Sequence, residues 1–121
     1  MVRKGRVVDT LFDHLGTGDV RAARELLSPD AQVWHCFDRV AHDRQSACRG
    51  FEAFIATFPE RRFTDVRSHA IDDRFVRQHV MTVLTAGGER LSWDVCVVGI
   101  IEGGLIIRLD EYLDRASSFV C

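Results

Sequence analysis

Almost half of the chain, from about residue 62 to residue 114, reads as four strand-like runs whose separating gaps hold only a turn. The runs are roughly 62–71, 75–85, 90–101 and 105–114, and the breaks carry Asp72-Asp73, Gly87-Gly88 and Gly103-Gly104. Parallel neighbours need a crossover of about a dozen residues or more, so turns this short select an antiparallel meander. A sheet of this kind has one face to bury, and the rest of the chain has to supply what covers it.

Upstream, the apolar period changes to that of a helix. Val8, Leu11, Phe12 and Leu15 recur at i, i+3, i+4 and i+7 while Asp9, Asp13 and His14 fall elsewhere, which predicts an amphipathic helix ending at Gly16. "GTGD" turns the chain, and Asp19 is placed to cap a second helix through "VRAARELL", with Val20, Ala23 and Leu27 on one side and Pro29 just beyond. "AQVWHCFD" has strand character. A charged loop, "RVAHDRQSAC", separates it from "GFEAFIATFPE", where Phe51, Phe54, Ile55 and Phe58 give a third helix stopped by Pro59. The order helix, helix, strand, helix, four strands predicts an α+β fold. In it a curved antiparallel sheet wraps around about three helices as a cone, with a central pocket where the helices do not fill it.

Composition narrows the possible partners. At 121 residues, 46% hydrophobic and 28% charged, residues 1–121 make a single domain with one core. A net charge of −2 with scattered arginines gives no reason to expect a nucleic acid or an anionic membrane. The N-terminal "MVRKGRVVDTLFDHL" is broken by Asp9, Asp13 and His14, unlike a secretory signal, and the longest apolar run, "VCVVGII", is far short of the roughly 20 residues of a membrane span. The expected location is cytoplasmic. Cys36, Cys48, Cys96 and Cys121 form no C-x-x-C pair or zinc-like spacing and are expected to be free thiols.

Strand alternation exposes the candidate chemistry. In "LIIRLDEYLD", Leu105, Ile107, Leu109, Glu111 and Leu113 form one row, so a carboxylate interrupts an apolar face, while Ile106, Arg108, Asp110, Tyr112 and Asp114 form the other. A buried carboxylate needs a hydrogen-bond partner, a proton or a water-filled pocket. The row Val33, His35, Phe37 shows the same pattern, with one titratable group among apolar residues. The structural alternatives are a core histidine bonded to backbone and a Glu111 paired with an arginine such as Arg77. His79 in "FVRQHVMTVL" is a third candidate, although both rows of that strand are partly apolar and a bulge reverses the assignment. Trp93, Val95 and Val97 make the better inward row of the next strand, leaving Asp94 outside. His14, His42 and His69 read as surface histidines, with His42 able to gate a pocket. His35, His79 and Glu111 are in principle a facial metal triad, but no metal is expected.

The stretches "LFDHLGTGDVRAARELLSPDAQVWH", "RGFEAFIATFP" and "VVGIIEGGLIIRLDEYLD" resemble the SnoaL-like members of the nuclear-transport-factor-2-like superfamily over nearly the whole chain. The characteristic pieces are the G-D turn between the first helices, the D-A-x-V-W-H strand, the R-G before the third helix and the closing G-G-x-I-x-x-x-x-E-Y-x-D. The resemblance implies the cone fold, chemistry without a cofactor, pocket polar residues at places such as those of His35 and Glu111, and precedent for dimers through the outer sheet face. The superfamily spans polyketide cyclases, ketosteroid isomerases, limonene-type epoxide hydrolases, scytalone-type dehydratases and non-catalytic binding domains, so the site has to carry the functional argument.

The limonene-type arrangement of acid, arginine and acid meets "RQHVMT" here, and His35 replaces its asparagine. The ketosteroid isomerase tyrosine has no counterpart, because Tyr112 is the sole tyrosine and lies on the outward row. The dehydratase histidines are matched by His35 and His79, but not its tyrosines. The expectation is an acid–base enzyme of cyclase, dehydratase or isomerase type acting through His35, Glu111 and His79 on a small hydrophobic molecule. Its walls would be Phe12, Leu15, Val33, Phe37, Phe54, Phe58, Trp93, Val95, Val97 and Leu109. The alternatives are a ligand-binding or dimerisation domain of the same fold and a limonene-type epoxide hydrolase. Trp34, Ile106 and Tyr112 on the outer face suggest a homodimer.

Overall fold

The computed structural model describes residues 6–119, which leaves Cys121 and the first five residues of the N-terminal reading outside it. Along the chain come α1 (Arg6–Thr17), α2 (Val20–Glu25), β1 (Leu27–His35), β2 (Ala41–His42), α3 (Arg44–Thr57), β3 (Arg61–Ile71), β4 (Arg74–Leu84), β5 (Arg90–Glu102) and β6 (Leu105–Tyr112). One curved, unclosed sheet runs in the order β2-β1-β6-β5-β4-β3. The α+β architecture is therefore the expected one, with the meander β3–β6 antiparallel throughout. The difference is that β1 joins β6 in parallel. The chain between them includes α3 and four strands, ample length for the crossover a parallel pair requires.

The apolar stripe of α1 buries Val8, Leu11, Phe12 and Leu15 against the sheet, each to 4% exposure or less. Burial of such a side chain contributes about 1.5–3 kcal/mol, which fixes this helix on β3, β4 and β6. Its end is held by Arg61, whose guanidinium donates to the carbonyls of Leu15 (2.8 Å) and Gly16 (3.2 Å) and to those of Phe58 and Pro59 just after α3. One cation thus satisfies carbonyls at the C-terminal ends of two helices, where the helix dipole favours positive charge.

Three sequence readings shift. The second helix stops at Glu25, and Leu27, read as part of its apolar side, instead opens β1 opposite Ile106. Pro29 lies within β1 where its pairing with β6 is interrupted between Leu27 and Gln32, so no ladder hydrogen bond is lost there. The third helix begins at Arg44, well before its aromatics, because Asp43 caps it by accepting from the Ser46 amide at 2.8 Å. The segment read as a charged loop thus holds β2 and the first turns of α3. Finally, Ile106 is fully buried, not on the outer face. Ile101 pairs with Ile106 and Ile100 with Arg108, so Ile107 is an extra residue that resets the alternation before Leu109 and Glu111.

The strand registers define two rows across the buried face. Val33, Leu109, Gly99 and Phe75 are lateral neighbours on β1, β6, β5 and β4, and one step along lie His35, Glu111, Val97 and Arg77. In the first row the Phe75 ring occupies the space a side chain at Gly99 would need. In the second row, polar groups flank Val97 on both sides.

Candidate functional site

Parallel pairing of β1 with β6 sets the backbones of His35 and Glu111 side by side, and the side chains follow. Glu111 Oε1 lies 3.8 Å from His35 Nε2, beyond a direct hydrogen bond but within reach of a small rotation. About a fifth of each side chain remains accessible. Glu111 is nevertheless crowded by protein, and burial pushes its carboxyl up to about 7, while burial also lowers the pKa of His35 against the opposing pull of Asp38. The Phe37 ring stacks on His35 at 4.9 Å between centroids. Phe37 lies in the turn after β1 and is 44% exposed, so it shields the imidazole from outside and is not an interior wall.

His79 belongs to a different cluster. It lies on β4 opposite Val95, only 1% exposed, edge-on to the rings of Phe12 (4.7 Å) and Phe63 (5.2 Å). Arg77 Nε donates to its Nδ1 at 2.9 Å, and Arg77 Nη1 donates to Asp9 Oδ1 at 2.8 Å. Burial and the Arg77 charge together depress the His79 pKa to about 3, so this imidazole is neutral. With Nδ1 accepting, the proton sits on Nε2, which is buried without a partner among the described residues. The structure brings His35 and Glu111 together. His79 instead touches Arg77 and the Phe12 and Phe63 rings.

Arg77 is also not the partner of Glu111, the alternative that sequence allowed, because its guanidinium is committed to Asp9 and His79. An arginine between an acid and a neutral imidazole is not the acid–arginine–acid arrangement of the limonene-type hydrolases. Asp9 went unrecognised because it stands off the apolar stripe of α1, and only tertiary packing brings that edge over β4.

Of the expected walls, Phe12, Leu15, Val33, Val95, Val97 and Leu109 are packed into the core. Phe54, Phe58 and Trp93 are only partly buried. The reason is that α3 packs chiefly on β1, β2 and α2, leaving its C-terminal aromatics partly uncovered. Two surface depressions, one between Pro59 and Arg90 and one along Arg74, Ile100 and Arg108, are lined by none of His35, Glu111 or His79.

A third group of polar side chains lies beside His35. His42 Nε2 is 2.7 Å from Asp38 Oδ2, and His42 Nδ1 is 2.9 Å from Ser46 Oγ. Asp38 Oδ1 accepts from the Val40 amide at 3.0 Å. Asp38 Oδ2 is also 4.0 Å from His35 Nδ1, a buried nitrogen with no hydrogen-bond partner among the described residues. His42 is therefore tied into the His35 neighbourhood and is not a free surface histidine.

A curved six-stranded sheet with three helices on it, carrying an acid–imidazole pair on its buried side, defines the class of cone-shaped α+β proteins to which the nuclear-transport-factor-2-like fold belongs. Residues 8–109 match the SnoaL-like domain model, and the chain belongs to that family. No curated protein matches it by sequence. Among solved structures it is similar to a candidate polyketide cyclase from Pseudomonas putida KT2440 (TM-score 0.83, 16% identity, 96% of this chain and 95% of that one). It is likewise similar to wild-type IdmH, a candidate polyketide cyclase from Streptomyces antibioticus (0.83, 18%, 93% and 92%). A third similar structure is AclR, a candidate hydroxylase from Streptomyces galilaeus (0.79, 14%, 90% and 77%). At these identities the likeness is one of fold. Among the described residues no helix is long and apolar enough to cross a membrane.

Proposed function

We propose that this chain is a general acid–base enzyme of cyclase, dehydratase or isomerase type, acting on a small hydrophobic molecule with Glu111 and His35 as the working pair. The observation that carries the reading is the 3.8 Å approach of Glu111 Oε1 to His35 Nε2 on the buried side of the sheet. A desolvated carboxylate can take a proton from carbon or oxygen, and the adjacent imidazole can donate one where charge develops on oxygen. The solved relatives described as candidate polyketide cyclases are consistent with substrates of ketone or polyketide type.

The experiment is a screen of small ketones, enones and polyketide-like aromatics for proton exchange with solvent, followed by Glu111→Gln. That change keeps shape and hydrogen bonding but removes the proton acceptor, so turnover falls by roughly 100-fold or more with little change in affinity. Unchanged turnover removes Glu111 from the mechanism.

A second reading, a ligand-binding or dimerisation domain, is favoured by the close packing of Phe12, Val95, Val97 and Leu109, which fill space a roomy pocket would need. A homodimer through the outer face belongs to both readings. Its apolar centre is Trp34 and Tyr112, whose rings lie 5.4 Å apart.

A further inference from the structure

His35, Asp38 and His42 are spaced H-x-x-D-x-x-x-H across the end of β1, the following turn and β2, and each offers one donor atom within 4.8 Å of the other two. We infer that these three side chains form a binding site for a divalent first-row transition metal ion of the zinc type. The inference does not rest on the acid–base reading.

The first argument is distance. Asp38 Oδ2 lies 2.7 Å from His42 Nε2 and 4.0 Å from His35 Nδ1. A point equidistant from three atoms so separated is roughly 2.4 Å or less from each, near the about 2.0–2.2 Å of zinc bonds to imidazole and carboxylate. Rotation of Asp38, which is on a turn, accommodates the remainder.

The second argument is the set of outer contacts, which a chance cluster does not require. A metal-bound histidine is normally held by an oxygen on its other ring nitrogen, and a bound carboxylate is itself hydrogen-bonded. Here His42 and Asp38 have that arrangement, and His35 faces a carboxylate 3.8 Å away, a small rotation short of it. His42 uses Nδ1 for Ser46 Oγ, Asp38 uses Oδ1 for the Val40 amide, and His35 turns Nε2 toward Glu111 Oε1. The three atoms left over are those that converge. His35 Nδ1 is buried and lacks a hydrogen bond, so a metal would satisfy it and would hold the imidazole with its Nε2 proton toward Glu111. Two imidazoles and a carboxylate are donors for zinc, cobalt or iron(II), and not for calcium or magnesium, which prefer oxygen. Three protein ligands leave at least one position for water or a ligand atom.

The test is titration of chelator-treated full-length protein with Zn2+ and Co2+. One equivalent per chain should bind at micromolar concentration or below, raise the melting temperature, and give Co2+ visible ligand-field bands. In 15N spectra of the parent protein, Zn2+ should shift the ring nitrogens of His35 and His42 and leave His14 and His69 unmoved. Asp38→Asn and His42→Gln should abolish tight binding, while Ser46→Ala should weaken it by roughly 10-fold or more through loss of the outer contact. Cys36→Ser should bind as the parent does, because Cys36 Sγ is already engaged with the Leu113 backbone. Absence of binding at 100-fold higher concentration, or shifts confined to surface histidines, would overturn the site. The spectra on the parent protein decide the matter even if a ligand variant fails to fold.

Discussion

Arg77 and His79 stand two residues apart on the same face of β4, and the guanidinium Nε of the first donates to Nδ1 of the second across 2.9 Å. A permanent cation pinned against a buried imidazole makes protonation of that imidazole costly twice over, through desolvation and through like charge.

The consequence is a pH dependence of stability. In the unfolded chain His79 binds a proton near pH 6.5, whereas in the folded state it resists protonation down to about 3. The unfolded state therefore takes up the proton first as acid is added. The contribution of His79 is fully present above pH 6.5 and is lost progressively as pH falls toward 3, with a total on the order of 5 kcal/mol. His35, also depressed by burial, adds in the same direction. Urea unfolding between pH 8 and pH 4 should give a shallower loss for His79→Phe than for the parent protein. Equal slopes would show that His79 titrates normally.

The other side of Arg77 makes a second prediction. Its guanidinium is 3% exposed and its Nη1 reaches Asp9 Oδ1 at 2.8 Å, while Asp9 keeps about a third of its side chain in solvent. Removing the acid alone leaves a buried cation without its anion, so Asp9→Ala should cost about 3 kcal/mol, the lower end of the range for such breaks, because water can partly replace the carboxylate. Asp9→Leu combined with Arg77→Met should recover much of that loss in a denaturant series. A pair that behaves additively would mean that the two residues are not coupled.

These two residues also mark where sequence reading stops. The meander was legible because Asp72-Asp73, Gly87-Gly88 and Gly103-Gly104 are local punctuation, and local rules place a turn to within a residue or two. Glu111 and His35 were legible because alternation needs only the strand itself. Asp9 and Arg77 are 68 residues apart, and nothing in either segment announces the other. Ile106 was misplaced for the complementary reason: a single extra residue at Ile107 reverses parity, and one isoleucine in the run Leu105-Ile106-Ile107 carries no sign of it. The start of α3 had a signal, Asp43 before Arg44, but "RQSAC" lacks the large apolar residues that make a stripe visible.

Gly99 offers a test of the sheet interior. A Cβ there would meet Phe75 Cζ at 2.5 Å and would collide with the carbonyl oxygen of Arg108 on the adjacent strand. Backbone cannot yield as a side-chain tip does, so Gly99→Ala should destabilise by roughly 1–3 kcal/mol or more. Pairing it with Phe75→Leu should relieve only part of the loss in thermal melts, since the Arg108 contact remains. Full rescue would place the whole conflict on the ring.

The proposed dimer is decided by Trp34. This indole lies against Tyr112 and under the Arg39 guanidinium, 5.3 Å from its centroid. Arg108 donates to both Gln32 and Asp110 nearby, so the apolar part of the face is smaller than sequence suggested. Sedimentation at micromolar concentration should show a dimer that Trp34→Asp converts to monomer. A monomeric parent protein would exclude the assembly, and a dimeric Trp34→Asp would move it elsewhere.

The acid–base pair makes the last prediction, and it separates catalysis from mere burial. If Glu111 and His35 transfer protons as a unit, His35→Asn should reduce turnover about as much as Glu111→Gln, and the double substitution should cost no more than the worse single one. The melting temperatures provide an independent measure. A structural pair loses stability when either member is removed, because the other is left buried without its partner. Glu111 behaves differently in the catalytic case: burial opposes its ionisation, so replacing it by the uncharged Gln should leave the fold as stable as before, or more so, near neutral pH. Turnover that collapses while the melting temperature holds or rises assigns Glu111 to the chemistry. A protein in which both fall together has its carboxyl there for the fold.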